Sequence, residues 1–396
     1  MAAQLIDIPE ARRRGLEAVT PGPAEEVPVA EAHGRVLAAD VRAATDTPPF
    51  DSSAMDGFAV VAGPGGELPV VGESRAGRPA ERALAPGEAI RISTGAAIPA
   101  GADAVVPVEE VTERDGRVVV PASEPGRNVR RAGEDMRAGA VVLRAGTVLG
   151  PAELAVAVAA GASLLRCAAR PRVAVLCTGD ELVEPGEPLG PGQIRDSNAY
   201  GLAALAERAG AVVVRRRIVP DEPEATRAAL AEAIAAADVV CVSGGVSVGP
   251  HDHVKPALRA LGVEERFWGV ALKPGKPTWF GTTAGGTLVF GLPGNPVSAM
   301  VTFQLFAAPA LRARCGADPS ATRARAVLDV AVARHPRREQ VLRCRLRAAD
   351  DGWHVEPTRD QGSHILTSLL GAGAFALVPA GEGELAAGER VEIELL

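Results

Sequence analysis

Strands and helices alternate along residues 172–315, and this alternation constrains the fold more than any other feature of the chain. Short apolar runs at 173–177, 212–219, 239–242 and 288–290 are separated by helical segments. Such alternation predicts a parallel, doubly wound α/β sheet. Ligands of these sheets lie beyond the carboxyl ends of the strands, so we expect the functional site at that edge.

The rest of the chain predicts further domains. Short Val-rich runs alternate with turns such as Asp115-Gly116 in one region, which indicates β hairpins. Alternating apolar and polar residues near the carboxyl end predict a small antiparallel β domain. A length of 396 residues allows such a multidomain α/β protein. We divide the chain into an elongated N-terminal segment (1–50 with 141–170), an inserted β lobe (51–140), the α/β domain (171–318) and the C-terminal β domain (319–396).

Composition narrows the functional classes. The net charge of −7 argues against a general nucleic-acid-binding protein. The sequence has neither an apolar run of about 18 residues nor a basic-then-apolar N-terminal signal, so it predicts no membrane span and no secretion. The cysteines are widely spaced, which favours reduced, buried thiols over disulfides. We expect a soluble cytoplasmic protein.

Lysine is rare in this chain. Among 42 basic residues the only lysines are Lys255, Lys273 and Lys276, and arginine provides every other positive charge. The lysines therefore indicate positions where a compact, strongly hydrated ammonium group is needed. Lys273 and Lys276 are each followed by proline, which stiffens the turn that presents them. We expect these two ammonium groups to bind an anion.

Two acidic loops follow the first predicted strand of the sheet. One contains Thr178-Gly179-Asp180-Glu181, and its carboxylates are the type that holds Mg²⁺ or positions water. An ordinary capped turn explains the same residues. The other loop, Asp196-Ser197-Asn198, opens a helix. Three good N-cap residues in succession exceed what capping requires, and helix N-termini favour phosphate.

Two further loops of the sheet predict ligand contacts. SGGVSVG at 243–249 offers a donor-rich cradle for an oxyanion, but it is neither a Walker loop nor a dinucleotide fingerprint. GLPGNPVS at 291–298 is a rigid turn in which capping explains Asn295 and Pro296 but not the additional Pro-Gly. The candidate ligand-binding residues of these loops are Ser243, Gly244, Gly245, Ser247, Gly249, Pro293, Gly294, Asn295, Pro296 and Ser298, with Asp252 and Lys255 just beyond the first loop.

The β lobe has three polar loops of its own. They contain Asp56, Thr94 and Asp135, within DSSAMDGFA, RISTGA and GED. Asp-Gly and Thr-Gly pairs form plain turns, so each loop alone is a weak signal.

Taken together, these segments resemble the molybdopterin molybdenumtransferase family, which comprises MoeA-type enzymes and the catalytic domain of gephyrin. The resemblance spans nearly the whole chain. The segments that carry it, in chain order, are PPFDSSAMDGFAV, RISTGAAIPAGADAVVP, GRNVRRAGED, TGDELVEPGEPLGPGQIRDSN, VSGGVSVGPHDHVK, KPGKP and GLPGNPVSA.

The resemblance implies an activity and an assembly. It implies insertion of molybdenum from molybdate into adenylylated molybdopterin, with hydrolysis of the adenylate, a divalent cation such as Mg²⁺, and release of AMP. It also implies an elongated dimerisation segment, a MogA-like α/β domain, a β-barrel-like C-terminal domain and a homodimer. Adenylyltransferase and molybdoenzyme partners follow from the same pathway.

The resemblance also assigns roles to the candidate residues. Lys273 and Lys276 would bind molybdate or phosphate. Glu181, Asp221 and Asp252 would hold the metal and orient water. Asp56, Thr94 and Asp135 would reach the site from the partner subunit. The turns that would hold the pterin and its phosphate contain Thr178, Gly179, Asp180, Asp196, Ser197, Asn198, Ser243, Gly244, Gly245, Ser247, Gly249, Lys255, Pro293, Gly294, Asn295, Pro296 and Ser298.

The chain departs from the family pattern at Arg195, where an aromatic residue is common, at His253, where tyrosine is expected, and at Gly269, where some relatives carry lysine. Residues 338–340 and 361–364 match a looser pattern in the C-terminal domain. Two other functions stay open. A molybdopterin adenylyltransferase shares the sheet motifs but needs neither the β lobe nor the C-terminal domain, and a gephyrin-like scaffold would need a linker that the sequence lacks.

Overall fold

A computed structural model describes residues 5–247, 249 and 252–396. Val248, Pro250 and His251, in and just after the predicted glycine loop, lie outside the described residues. The chain divides into two compact units. The N-terminal unit comprises residues 26–167, and the main unit comprises residues 1–25 and 168–396.

The main unit contains a six-stranded sheet whose order confirms a doubly wound α/β domain. The strands in spatial order are Val212–Val219, Arg172–Thr178, Val239–Ser243, Leu288–Leu292, Trp279–Thr282 and Glu264–Trp268. The first four pair in parallel, as predicted.

The prediction of a wholly parallel sheet was wrong at one edge. Trp279–Thr282 runs antiparallel to both of its neighbours, and neither it nor Glu264–Trp268 was predicted. The edge strand begins with exposed charged residues, so it lacks the continuous apolar run that marks a buried strand.

Helices cover both faces of this sheet. They are Asn198–Arg208, Pro223–Ala236, Val254–Ala260 and a long final helix formed by Pro296–Thr302 and Ala308–Arg314. A π-helical stretch, Phe303–Ala307, joins the two parts of the final helix. One face of the sheet buries a cluster of phenylalanines in which the rings of Phe280 and Phe290 lie 4.7 Å apart. Six of the eight phenylalanines of the chain lie in this core.

The first helix, Ile8–Glu17, lies in the main unit. Asp7 caps it by accepting a 2.8 Å hydrogen bond from Glu10 N. Ile8 and Ala11 are buried in the same core as the sheet. An amphipathic helix is stabilised by the apolar surface that it covers, and here that surface is the α/β domain.

The C-terminal residues form a closed barrel. Its strands are Arg323–Leu328, Glu339–Ala349, Gly352–Pro357, Ala374–Val378 and Arg390–Leu395. Pairing of the second strand with both the third and the fourth closes the ring, and closure leaves no free sheet edge. The pairs are antiparallel as predicted, except that the first and third strands pair in parallel. A short strand, Leu272–Lys273, joins the barrel beside Glu339–Ala349.

The N-terminal unit contains a second six-stranded sheet. Its strands in spatial order are Ala104–Pro107, Gly57–Val60, Ala89–Ile92, Gly66–Ser74, Arg117–Val120 and Thr112–Arg114. The predicted hairpin is present, with positive φ angles of 51° at Asp115 and 72° at Gly116. This unit also holds the helix Pro151–Ala159 and the strand pairs Val41–Arg42 with Val141–Leu143 and Ser52–Ser53 with Val129–Arg130.

Shorter elements complete the structure. They are the strand pairs Ala24–Pro28 with Leu164–Ala168, Leu182–Val183 with Ile194–Arg195, and Val332–Ala333 with Glu384–Leu385, and the 3₁₀ turns Val29–Glu31, Val108–Glu110 and Leu366–Leu369. All five cysteine side chains are buried, as expected. Among the described helices, none is long and apolar enough to cross a membrane.

Candidate active site

The predicted loops meet at the carboxyl edge of the sheet. Asn198, at the start of its helix, donates from Nδ2 to Ser243 Oγ at 2.9 Å and to the Gly294 carbonyl at 2.8 Å. Ser243 Oγ in turn donates to the Pro293 carbonyl at 3.1 Å. One asparagine therefore ties together three loops that are distant in sequence.

These loops surround a cavity of about 520 Å³, here called the strand-end cavity. Nine of the predicted residues lie in its wall: Thr178, Glu181, Asp196, Ser197, Asn198, Ser243, Gly294, Asn295 and Pro296. The wall also contains Cys177, Leu182, Ile194, Arg195 and His364, which were not predicted as ligand contacts.

Among the residues that the structure describes, two polar atoms of this wall are buried without a hydrogen-bond partner. Asp196 is only 2% exposed, and its Oδ1 accepts from Ala199 N at 3.0 Å, while Oδ2 has no partner. Thr178 Oγ1 is in the same situation. Buried polar atoms are almost always paired, so these two are available to a ligand. Burial raises the pKa of the adjacent Cys177 thiol and the Asp196 carboxylate adds to the effect, so the thiol stays neutral.

The glycine loop approaches this wall closely. Gly244 has φ of +92°, and a Cβ there would lie 2.7 Å from Thr178 Oγ1 and 2.8 Å from the Thr178 carbonyl oxygen. Only glycine fits such a contact in this backbone conformation. Some of the expected amide donors are already used within the protein, because Gly244 N donates to the Leu292 carbonyl and Gly249 N donates to Asp252 Oδ2 at 2.7 Å.

The predicted acidic residues lie in neighbouring loops. The Glu181 carboxylate folds back over Gly179, where a Cβ would lie 2.4 Å from Glu181 Oε2. Asp180 Oδ1 accepts from Asp221 N at 3.0 Å, which joins the loops after two adjacent strands. Within the described part of the chain, no group of three or more His, Cys, Asp or Glu side chains is placed to hold a metal ion. Glu181, Asp221 and Asp252 therefore do not form a preassembled metal cage.

Lys273 and Lys276 lie in a second cavity of about 520 Å³, here called the basic cleft. Both side chains are exposed. Lys273 is held by pairing with Gln340 of the barrel. Gly275, with φ of +117°, packs so closely that a Cβ would lie 2.4 Å from Thr302 Cγ2. The stiffness expected from the prolines thus has two additional sources, a strand pairing and a close helix contact.

The barrel supplies a wall of the basic cleft that was not predicted. The lining from the α/β domain is Lys273, Pro274, Gly275, Lys276, Pro277, Pro293, Asn295 and Ser298, and the lining from the barrel is Arg338, Asp360, Gln361, Gly362 and Ser363. Asn295 lines both cavities and donates from Nδ2 to Ser363 Oγ at 3.1 Å. The segments 338–340 and 361–364, which match a looser pattern, were the available sequence signals for this wall.

Lys255 occupies a different environment from the other two lysines. Its ammonium nitrogen lies 4.2 Å from the centre of the Trp268 ring, a cation–π contact. The indole is itself fixed by a 3.1 Å hydrogen bond from Nε1 to the Val246 carbonyl. Lys255 lines neither the strand-end cavity nor the basic cleft. Ser247, in the same glycine loop, is exposed and also outside both walls.

Within the N-terminal unit, Asp56 and Thr94 are in contact. Asp56 Oδ1 accepts from Thr94 N at 2.8 Å, and both residues are exposed. Asp135 is exposed as well, and its N–H donates to the Thr47 carbonyl at 3.0 Å. A hydrogen bond from Ala132 N and an ion pair with Arg131 lower the pKa of the Asp51 carboxyl and tie these loops together.

The departures from the family pattern have distinct settings. Arg195 lies in the wall of the strand-end cavity. His253 is the N-cap residue of the helix Val254–Ala260. Gly269 has φ of +86°, and a Cβ there would lie 2.8 Å from Leu5 Cδ2, so a lysine at this position would be strained in this backbone.

Comparison with known families covers almost the whole chain. Residues 6–161 match the MoeA N-terminal region (domains I and II). Residues 174–313 match a probable molybdopterin binding domain, and residues 325–396 match the MoeA C-terminal region (domain IV).

Individual relatives match over similar lengths. A molybdopterin molybdenumtransferase of Haemophilus influenzae is 36% identical, with 98% of each chain covered. Molybdopterin molybdenumtransferase 2 of Mycobacterium tuberculosis is 39% identical over 93% of this chain and 94% of its own. The crystal structure of the molybdopterin biosynthesis protein MoeA from Pyrococcus horikoshii superposes with a TM-score of 0.82 at 31% identity, covering 99% of this chain and all (100%) of that chain.

In the sequence, the α/β domain that contains the strand-end cavity follows the matched MoeA N-terminal region and precedes the matched C-terminal region. This domain order defines a multidomain transferase of molybdenum cofactor biosynthesis. The chain belongs to the molybdopterin molybdenumtransferase family.

Proposed function

We propose that this enzyme inserts molybdenum into adenylylated molybdopterin, taking the metal from molybdate and releasing AMP. The observation that carries this proposal is the junction of two unlike cavities at Asn295, one rich in hydrogen-bond acceptors and the other rich in cations. A reaction that joins an oxyanion to an organic precursor needs adjacent sites of these two kinds.

The chemistry of each cavity suggests its occupant. A pterin presents N–H donors along its aminopyrimidinone edge. Asp196 Oδ2 and Thr178 Oγ1 can accept hydrogen bonds from these donors, because both atoms are buried and have no partner in the described part of the chain. Molybdate is a dianion, which suits the exposed ammonium groups of Lys273 and Lys276. We therefore assign the pterin to the strand-end cavity and molybdate to the basic cleft.

The proposal includes Mg²⁺ held by Glu181, Asp221 and Asp252 together with the substrate's phosphates. Mg²⁺ prefers oxygen ligands, usually keeps several waters and takes few protein carboxylates, so it does not require a preassembled cage. Bound there, the ion would neutralise phosphate charge during hydrolysis of the adenylate. An Asp252→Asn variant should need a higher Mg²⁺ concentration for half-maximal AMP release, and an unchanged Mg²⁺ requirement would remove Asp252 from this set.

The proposal also includes a cytoplasmic homodimer in which Asp56, Thr94 and Asp135 of one subunit complete the site of the other. Family resemblance supports the assembly, and the Asp56–Thr94 hydrogen bond supports a joint role for two of these residues. Mixing inactive Asp56→Ala and Lys273→Ala subunits tests it, because each mixed dimer would regain one intact site. Activity that stays at the level of the separate variants would show that the site lies within a single chain.

Molybdate-dependent AMP release is the decisive assay. Purified protein would receive adenylylated molybdopterin with and without molybdate and Mg²⁺. AMP release that depends on molybdate supports the proposal. ATP consumption with pyrophosphate formation would instead identify the preceding adenylyltransferase reaction. If neither reaction occurs, a scaffold would be favoured.

The comparisons bear on the adenylyltransferase alternative. The matched MoeA N-terminal and C-terminal regions are parts that a stand-alone adenylyltransferase does not need, so they favour the transferase. Contacts with an adenylyltransferase that supplies the substrate, and with molybdoenzymes that receive the product, follow from the same proposed reaction.

A further inference from the structure

We propose that Trp268 is a positioning residue for the glycine loop (243–249) and that Lys255 acts on this loop through the Trp268 ring. This inference rests on the proposed function, since the loop is one of those expected to hold the substrate's phosphate. Trp268 does not belong to the motifs that carry the family resemblance, and Lys255 lines neither cavity. The contacts that join both residues to the loop come from the fold.

Trp268 reaches the glycine loop because of the two antiparallel pairings at one edge of the sheet. The strand Glu264–Trp268 runs antiparallel to Trp279–Thr282, which in turn runs antiparallel to Leu288–Leu292. Two reversals restore the direction of the parallel strands. Trp268 therefore ends its strand at the same edge of the sheet as the strand ends that carry the ligand-binding loops.

The Trp268 indole holds one carbonyl group of the loop. Its Nε1 donates to the Val246 carbonyl at 3.1 Å. The peptide bond after Val246 is planar and trans, so the carbonyl oxygen and the N–H of Ser247 point in opposite directions. Trp268 thereby orients the Ser247 N–H away from the indole. Among the residues that the structure describes, none accepts a hydrogen bond from this N–H, so it is available to a ligand.

Packing holds the side chain of the same residue. Val246 is 2% exposed and lies in the core cluster that contains Val254 and Trp279. A Cβ at Gly291 would lie 2.7 Å from Val246 Cγ1, so the valine packs directly on the backbone of the neighbouring strand. With its side chain buried and its carbonyl bonded to Trp268, Val246 has little freedom to rotate, and the peptide group that it shares with the next residue is fixed.

Lys255 holds the indole in turn. Its ammonium nitrogen lies 4.2 Å from the centre of the Trp268 ring, and a cation–π contact of this kind favours one orientation of a partly exposed ring. Lys255 belongs to the helix Val254–Ala260, which itself packs on the loop: a Cβ at Gly245 would lie 2.6 Å from Val254 Cγ2. The helix and the edge strand therefore hold the glycine loop from two directions.

The first test measures opening of the loop without substrate, by hydrogen–deuterium exchange of the purified full-length protein. Trp268→Phe keeps a ring but removes the indole donor. Two amides of the loop are hydrogen-bonded and report its opening, Gly244 N to the Leu292 carbonyl and Gly249 N to Asp252 Oδ2. We expect both to exchange about threefold to tenfold faster in the variant, the effect of losing one neutral hydrogen bond.

Trp353→Phe is the matched control. It makes the same substitution in the barrel strand Gly352–Pro357, and Trp353 lines neither cavity. Exchange of the loop amides should stay at the wild-type rate in this control. In both variants the buried strand Arg172–Thr178 should keep its protection, since a loss there would indicate general destabilisation of the sheet.

The second test separates KM from kcat in the molybdate-dependent release of AMP. Trp268→Phe should raise the KM for adenylylated molybdopterin by about threefold to tenfold, because a less fixed Ser247 N–H binds the substrate's phosphate less well. The value of kcat and the KM for molybdate should each stay within about twofold of wild type. A residue that only stabilises the fold would not raise one KM selectively in protein that circular dichroism shows to be folded.

A double-mutant cycle tests whether Lys255 acts through the ring. Lys255→Met should raise the KM for adenylylated molybdopterin by about twofold to threefold in the wild-type background. It should cause no further increase in Trp268→Leu, which has no ring for the ammonium group to contact. Equal effects in the two backgrounds would overturn the route from Lys255 through Trp268.

The results separate this inference from the proposed function. Wild-type exchange of the loop amides in Trp268→Phe, or exchange equal to that in Trp353→Phe, would overturn the positioning role and leave the proposed function intact. Faster exchange with an unchanged KM for adenylylated molybdopterin would overturn the link between the loop and the substrate. If the wild-type protein releases no AMP from this substrate, the proposed function fails, and the exchange rates still decide whether Trp268 holds the loop.

Discussion

The strand-end cavity and the basic cleft share a wall at Asn295 but are built on opposite physical principles. The strand-end cavity keeps Asp196 at 2% exposure with an unpartnered carboxylate oxygen. The basic cleft keeps Lys273 and Lys276 exposed to solvent. The strand-end cavity buries the side chains of Asp196 and Ser243, whereas the basic cleft leaves the charges of its two lysines hydrated.

This difference in burial gives the two cavities different roles in ligand binding. A buried acceptor without a partner costs free energy in the empty protein, and the cost is relieved only by a ligand with a donor in the right place. Exposed cations cost little and attract any anion over a distance set by ionic strength. The strand-end cavity is therefore expected to discriminate between organic ligands, and the cleft is expected to concentrate an oxyanion.

The largest expected effect comes from removing the charges of the cleft. Lys273→Ala combined with Lys276→Ala should lower molybdate-dependent AMP release by about 10²-fold or more, since preorganised cations usually contribute that much. Binding of adenylylated molybdopterin should change far less, because the pterin contacts lie in the other cavity. Steady-state kinetics with each substrate varied in turn would measure both effects, and an equal loss for both substrates would contradict the separation.

The next largest effect is expected at Asp196, whose buried carboxylate oxygen is a candidate hydrogen-bond acceptor for the pterin. Asp196→Asn can keep the helix cap through its amide oxygen but replaces the unpartnered carboxylate oxygen with a donor. Affinity for the pterin substrate should fall by roughly 10- to 100-fold, the cost of one mismatched buried hydrogen bond. Molybdate affinity should remain at the wild-type value. Calorimetry with each ligand provides the measurement, and unchanged pterin affinity would mean that Asp196 only caps its helix.

A smaller effect is expected at the hydroxyl group of Thr178, the other buried acceptor of the strand-end cavity. Thr178→Val removes a buried oxygen that has no hydrogen-bond partner in the described part of the chain. The free energy of unfolding should therefore stay the same or rise by up to about 1 kcal/mol. Pterin affinity should nevertheless fall by about fivefold. Chemical denaturation and ligand titration on the same preparation would show whether the two quantities move in opposite directions. A fall in both would indicate that the hydroxyl stabilises the wall itself.

The smallest effect is expected at the third lysine. Lys255→Met should leave the affinity for molybdate within about twofold, because its ammonium group lies over Trp268 and outside both cavity walls. Stability should fall by about 0.5–1 kcal/mol through loss of the cation–π contact. A large loss of molybdate affinity would extend the basic cleft beyond the residues assigned here and weaken the comparison.

Local sequence patterns predicted much of the α/β domain. The strand at 212–219 was predicted at its observed bounds, Val212–Val219. The edge strand Glu264–Trp268 was missed because its exposed, charged residues carry no apolar periodicity. Periodicity reports burial, so a strand that is mostly exposed gives little signal.

The candidate site was likewise predictable only in part from the sequence. The sequence by itself determined that the loops containing Thr178, Ser243 and Pro293 would share one edge, because parallel strands present their carboxyl ends together. Only the tertiary structure decided that these residues divide between two cavities and that the barrel contributes Arg338. That result depends on the pairing of Lys273 with Gln340, residues distant in the chain, and a long-range register of this kind leaves no local pattern. Unpartnered atoms are likewise a property of packing, since whether Asp196 Oδ2 meets a donor depends on every element around it.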